Sequence, residues 1–62
     1  MDEQEKHKLR EMLSVGYELE EEPEFWIVAS KGSGQVVATV LLSEGYHAVR
    51  QQLGQAGVGL VA

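Results

Sequence analysis

The stretch FWIVASKGSGQVVATVLL, residues 25–42, decides how this chain folds. Its first six residues, FWIVAS, are aromatic and β-branched, the types that fit a pleated, half-buried surface. Lys31, Gly32, Ser33 and Gly34 follow, and two glycines in four positions supply the positive φ that a tight reversal needs. Residues 35–42, QVVATVLL, are β-branched again. Strand, turn and strand make a β-hairpin.

Both strands of this hairpin are apolar on both sides. Val36, Ala38, Val40 and Leu42 fall on one face, and Val37, Thr39 and Leu41 on the other. In the first strand Phe25, Ile27 and Ala29 oppose Trp26 and Val28. A sheet with one wet face alternates apolar and polar residues, and these strands do not. Each face therefore needs a cover, because a large bare apolar patch is a liability. Either each helix of the chain covers one face, or one helix covers one face and a second subunit or partner covers the other.

Outward from the hairpin, residues 2–14 have Leu9, Met12 and Leu13 at i, i+3 and i+4, the stripe of an amphipathic helix. Asp2, Glu3 and Glu5 lead while Lys6, Lys8 and Arg10 follow, an order that suits the helix dipole. Gly16 is placed to end the helix, and residues 1–5, without an apolar residue after Met1, are expected to fray. Val15, Tyr17 and Leu19 alternate with Gly16, Glu18 and Glu20, which reads as a short strand or as a loop leaving the helix. Pro23 breaks the chain. Ser43 is placed as an N-cap for a helix over 44–54, with Tyr46, Val49, Leu53 and Ala56 on one face. Gly54 and Gly57 bracket its end, and residues 58–62 read as a closing strand, reached by a right-handed crossover and parallel to residues 36–42. The fold expected is α+β: a small antiparallel or mixed sheet of three or four strands with two helices, in the order α-(β)-β-β-α-β, with FWIVAS central.

Sixty-two residues allow a single domain, 1–62. A chain of this size buries only about 60% of its unfolded surface and often needs a staple. It contains no cysteine, and only His7 and His47 as further zinc-type ligands, so disulfides and the usual zinc clusters are excluded. Self-association remains. Residues 2–14 offer three or four apolar side chains worth about 1.5–3 kcal/mol each when buried, against about 1–2 kcal/mol per ordered residue. That margin favours a homodimer or a protein partner over an isolated monomer.

The net charge of −5 argues against direct binding to nucleic acid or to an anionic membrane. No run approaches the roughly 18 apolar residues of a membrane helix, and residues 1–10 lack the layout of a signal peptide, so a cytoplasmic setting is expected. Glu18, Glu20, Glu21, Glu22 and Glu24 form an acidic run. It reads as a solvated loop, as a docking surface for a basic partner, or as a mimic of nucleic-acid charge; it lacks the spaced oxygen ligands of a calcium loop. Residues 32–34 lack the length and the following helix of a phosphate loop. His47, with Ser43 and Glu44 nearby in sequence, has no separate residue to orient it as a base, so no catalytic residue, metal or cofactor is assigned. Trp26, Val28 and Tyr46 are the expected interface residues, since Trp and Tyr are frequent binding hot spots. If Phe25 and Ile27 face the second helix, Trp26 and Val28 face a partner or the first helix.

From residue 25 to residue 62 the layout resembles that of small phage inhibitors of bacterial RNA polymerase: Phe25-Trp26 opening a strand, a turn, a strand, a helix ending in Ala56-Gly57, and a closing strand. The likeness is one of layout and names no family. It implies that an acidic domain of this size can act as a stoichiometric inhibitor. The reading that follows is a small non-catalytic interaction or assembly module that self-associates; the alternative is an acidic regulator of a nucleic-acid-handling enzyme, binding through its glutamates.

Overall fold

The first helix begins at Asp2, whose side chain accepts from the Glu5 amide at 2.8 Å while the Glu5 carboxylate accepts from the Asp2 amide at 3.2 Å. This reciprocal pair is a capping box. In the computed structural model, which describes residues 1–60, it starts helix α1 (Glu3–Leu13) at its first turn, where fraying was expected. Leu9, Met12 and Leu13 are its buried face. Its end is held from outside: the Lys31 ammonium donates to the Ser14 carbonyl at 2.6 Å, placing a cation where the helix dipole is negative.

Strand β1 (Tyr17–Glu21) forms as the alternation of Tyr17 and Leu19 with glutamates suggested. It turns at Pro23 and Glu24 into β2 (Phe25–Ser30), with the Glu22 amide donating to the Phe25 carbonyl at 2.9 Å. A second turn leads to β3 (Val36–Leu41). There Gly34 takes φ 71° and its amide donates to the Ser30 carbonyl at 2.8 Å. The sheet order is β1-β2-β3, antiparallel throughout, with FWIVAS central. A register shift between Val28 and Ala29 makes Val37 the extra residue of a β-bulge in β3.

The second helix starts later than Ser43 suggests. Leu42–Glu44 form one turn of 3-10 helix, and Gly45, at φ 94°, is the N-cap of α2 (Tyr46–Gln55). The end of α2 is a Schellman turn: Gly57 sits at φ 81°, the Val58 amide donates to the Leu53 carbonyl at 2.9 Å, and the Gly57 amide to the Gly54 carbonyl at 3.1 Å. Leu53 and Val58 are both buried, supplying the apolar contact that accompanies this turn.

Residues 58–60 then belong to no strand, and 61–62 of the expected closing strand lie outside the described residues. The place beside β2 is taken by β1. Three residues, 22–24, join β1 to β2, whereas a closing strand would need the whole of α2 as a crossover, and short closures cost less entropy. Gly59 instead donates to the Tyr17 hydroxyl at 3.2 Å.

The core is a single layer. Leu9, Met12 and Leu13 of α1 and Val49 and Leu53 of α2 cluster with Trp26, Val28, Val40, Leu42 and Val58. Register places Leu19 opposite Val28 and Ala38, and Glu21 opposite Trp26 and Val40, so these side chains share one face of the sheet. Both helices lie on that face. Among the described residues no helix is long and apolar enough to cross a membrane.

Candidate interaction surface

With both helices on one side, the other side of the sheet is left without a layer. Its side chains follow from the register: Glu20 beside Ile27 beside Thr39, Glu18 beside Ala29 beside Val36, and Phe25 beside Leu41. Phe25 and Ile27 are half-buried, Thr39 is exposed, and Val36 and Leu41 are 58% and 49% exposed. The result is an apolar field over β2 and β3, bordered along β1 by two carboxylates. No strand carries a lysine or arginine.

Trp26 and Val28 are on the opposite side, 1% and 0% exposed beneath the helices. The sequence left open which helix covers which face, and put Trp26 and Val28 toward a partner or the first helix on the condition that Phe25 and Ile27 face the second; that condition does not hold. Phe25 and Ile27 are the residues of the open face, and Trp26 and Val28, the expected interface residues, are core. The signal that settles this was in β1. Tyr17 and Leu19 are its apolar parity, and antiparallel pairing sets Leu19 against Val28. Once β1 is accepted as a strand, the polar parity of Glu18 and Glu20 marks the wet side.

Tyr46 stands half-buried at the start of α2 and packs against the core, with the Arg50 guanidinium 5.6 Å from its ring centre. The glutamates of the acidic run divide into two groups. Glu21 points to the helix side, where Arg10 grips both its oxygens, Nη2 to Oε1 at 2.9 Å and Nε to Oε2 at 3.0 Å. The same guanidinium lies 5.4 Å from the Trp26 ring centre, so it covers the edge of the core as well as neutralising Glu21. The hydrogen bond to Glu21 holds Arg10 above its ordinary pKa, against an opposing desolvation effect.

Glu18, Glu20, Glu22 and Glu24 take part in none of the ion pairs among the described residues. Glu18 and Glu20 border the open face, while Glu22 and Glu24 flank Pro23 at its end. The structure thus brings Glu18 and Glu20 together with the apolar field, removes Glu21, Trp26 and Val28 from it, and sets Glu24 in a groove with Met1 and Lys6.

The histidines stand apart from this surface. His7 lies on α1, 2.9 Å from Glu11, and His47 is exposed on α2. Glu44 accepts from the Gln52 amide. Among the described residues no group of three or more His, Cys, Asp or Glu is placed to hold a metal ion. No protein-family model, curated protein or solved structure matches the chain.

Proposed function

We propose that the chain is a small interaction module that acts by contact and not by catalysis, self-associates, and offers the open face of its sheet to a protein partner in the cytoplasm. The observation that carries this reading is the one-sided fold. Phe25, Ile27, Val36 and Leu41 stand on a face that neither helix covers. Apolar surface of that kind, bordered by charge, is the ordinary composition of a protein-binding patch. Covering it returns the hydrophobic free energy that a chain of 62 residues lacks. Nucleic acid is an unfavourable partner, since the strands border this face with the carboxylates of Glu18 and Glu20 and contribute no cation.

Sedimentation equilibrium over a wide concentration range tests the self-association. The mass is expected to rise from 6.8 kDa toward twice that value. A mass fixed at 6.8 kDa at every concentration contradicts it.

A second reading is favoured by one observation, the four glutamates that take part in no ion pair among the described residues. In it the chain is an acidic regulator of a nucleic-acid-handling enzyme, with Glu18, Glu20, Glu22 and Glu24 occupying a basic channel. Transcription by bacterial RNA polymerase, titrated with the protein, is the first assay. Stoichiometric inhibition that disappears when these four residues become Gln would support the reading, and unchanged transcription at excess protein would end it.

A further inference from the structure

The two edges of the sheet are built differently, and that difference bears on how copies of the chain would join. The Leu42 amide donates to the Glu24 carbonyl at 3.0 Å. In an antiparallel ladder, bonded and unbonded residues alternate, so Val40 and Ala38 turn their backbone groups toward β2, and Thr39 and Leu41 turn theirs outward. No turn, loop or cap bond among the described residues uses the amide or carbonyl of Thr39 or Leu41. On the other edge the outward residues are Tyr17, Leu19 and Glu21, by the same alternation from the Glu22 to Phe25 bond. That strand, YELEE, carries three glutamates. Charges are a common device for blunting an edge, while an apolar, uncharged edge invites another strand. β3, VVATVL, has no charge and no proline.

We infer that the chain pairs with a second copy of itself through β3, antiparallel across a two-fold axis at Val40. Thr39 of one copy then lies opposite Leu41 of the other, and the two exchange both backbone bonds; the symmetry repeats the pair. The bulge at Val37 lies beyond these residues and does not interrupt them. A groove of about 500 Å³ already runs outside β3, walled by Gln52, Gln55, Ala56 and Glu44, so α2 leaves room for the incoming strand and meets it with mainly neutral side chains.

Charge selects this occupant and this geometry. In the six-stranded sheet β1 of each copy is outermost, about 24 Å from its counterpart at about 4.8 Å per strand. The glutamates of the two copies are then separated by well over the screening length of about 8 Å at physiological salt. Stacking the open faces is opposed. One two-fold arrangement lays Glu18 and Glu20 on the same residues of the other copy. The other lays them on Val36 and Leu41, and no cation of either face compensates. Edge pairing also leaves both open faces on one side of the sheet, where they become a single continuous apolar surface for the partner. The inference rests on the self-association proposed above and specifies its mode.

The test is backbone amide exchange followed by NMR, at concentrations below and above the dimer midpoint found by sedimentation. Edge pairing predicts that the Thr39 and Leu41 amides exchange at least about tenfold more slowly in the dimer, while the outward Leu19 amide is unchanged. The variant Ile27→Gln, altered at the centre of the open face, is predicted to keep the dimer, and Thr39→Lys, which charges the edge, to lose it. A dimer in which Thr39 and Leu41 exchange as freely as in the monomer overturns edge pairing and leaves self-association standing. A monomer at every concentration overturns both.

Discussion

The two faces of this sheet have nearly the same composition and opposite fates. Phe25, Ile27 and Leu41 on one side are as apolar as Trp26, Val28 and Val40 on the other, yet the helices cover only the second set. The deciding difference lies in the neighbouring strand. β1 contributes Tyr17 and Leu19 to one side, where they pack against the core, and Glu18 and Glu20 to the other. Placing α1 and α2 over two carboxylates would have buried unpaired charge, which is costly. One polar parity in the least apolar strand therefore orients the whole two-layer structure, and leaves a hydrophobic surface outside.

Substitutions on the two faces sharpen this contrast. The largest effect is expected for Trp26→Ala. Truncating a buried aromatic costs about 3–5 kcal/mol, and a chain of this length has a total stability of roughly 3–9 kcal/mol. The variant should lose about half or more of that stability, read by circular dichroism as a sharply lower urea midpoint at 25 °C or as a chain already unfolded without urea. Gly57→Ala is expected to come next. Nothing crowds a Cβ there, but φ 81° is strained for alanine, at a cost of about 1–2 kcal/mol read as a lower urea midpoint. Asp2→Ala removes the acceptor that starts α1 and should cost about 1 kcal/mol in the same titration. Leu41→Gln, on the open face, should stay within about 0.5 kcal/mol of the parent in the monomer. A loss comparable to that of Trp26→Ala would mean that the open face is also core.

Much of the architecture is legible from the residues alone. Phe25 to Leu42 announce the hairpin, Leu9, Met12 and Leu13 announce α1, and Tyr46, Val49 and Leu53 announce α2. Three features are less so. The faces of the hairpin cannot be told apart from its own strands, since both parities are apolar; only the pairing of Leu19 with Val28 separates them. The start of α2 is displaced because Gly45 takes a positive φ that Ser43 does not need, so the 3-10 turn ends there and the helix begins after it. The capping box was present as Asp2 followed three residues later by Glu5, a pattern obscured by the surrounding charges. As for the site, the acidic border was legible as a run of glutamates, but the removal of Glu21 depends on Arg10 eleven residues earlier, a contact that only the folded chain makes.

Trp26 is the chain's single tryptophan, so its fluorescence reports on one face of the sheet alone. The one-sided arrangement predicts a blue-shifted emission that acrylamide quenches poorly in the monomer, at concentrations below any association. It predicts the same emission in Ile27→Gln, where the open face has been made polar. A red-shifted emission, quenched as readily as free tryptophan, would place Trp26 on the uncovered side and contradict the account.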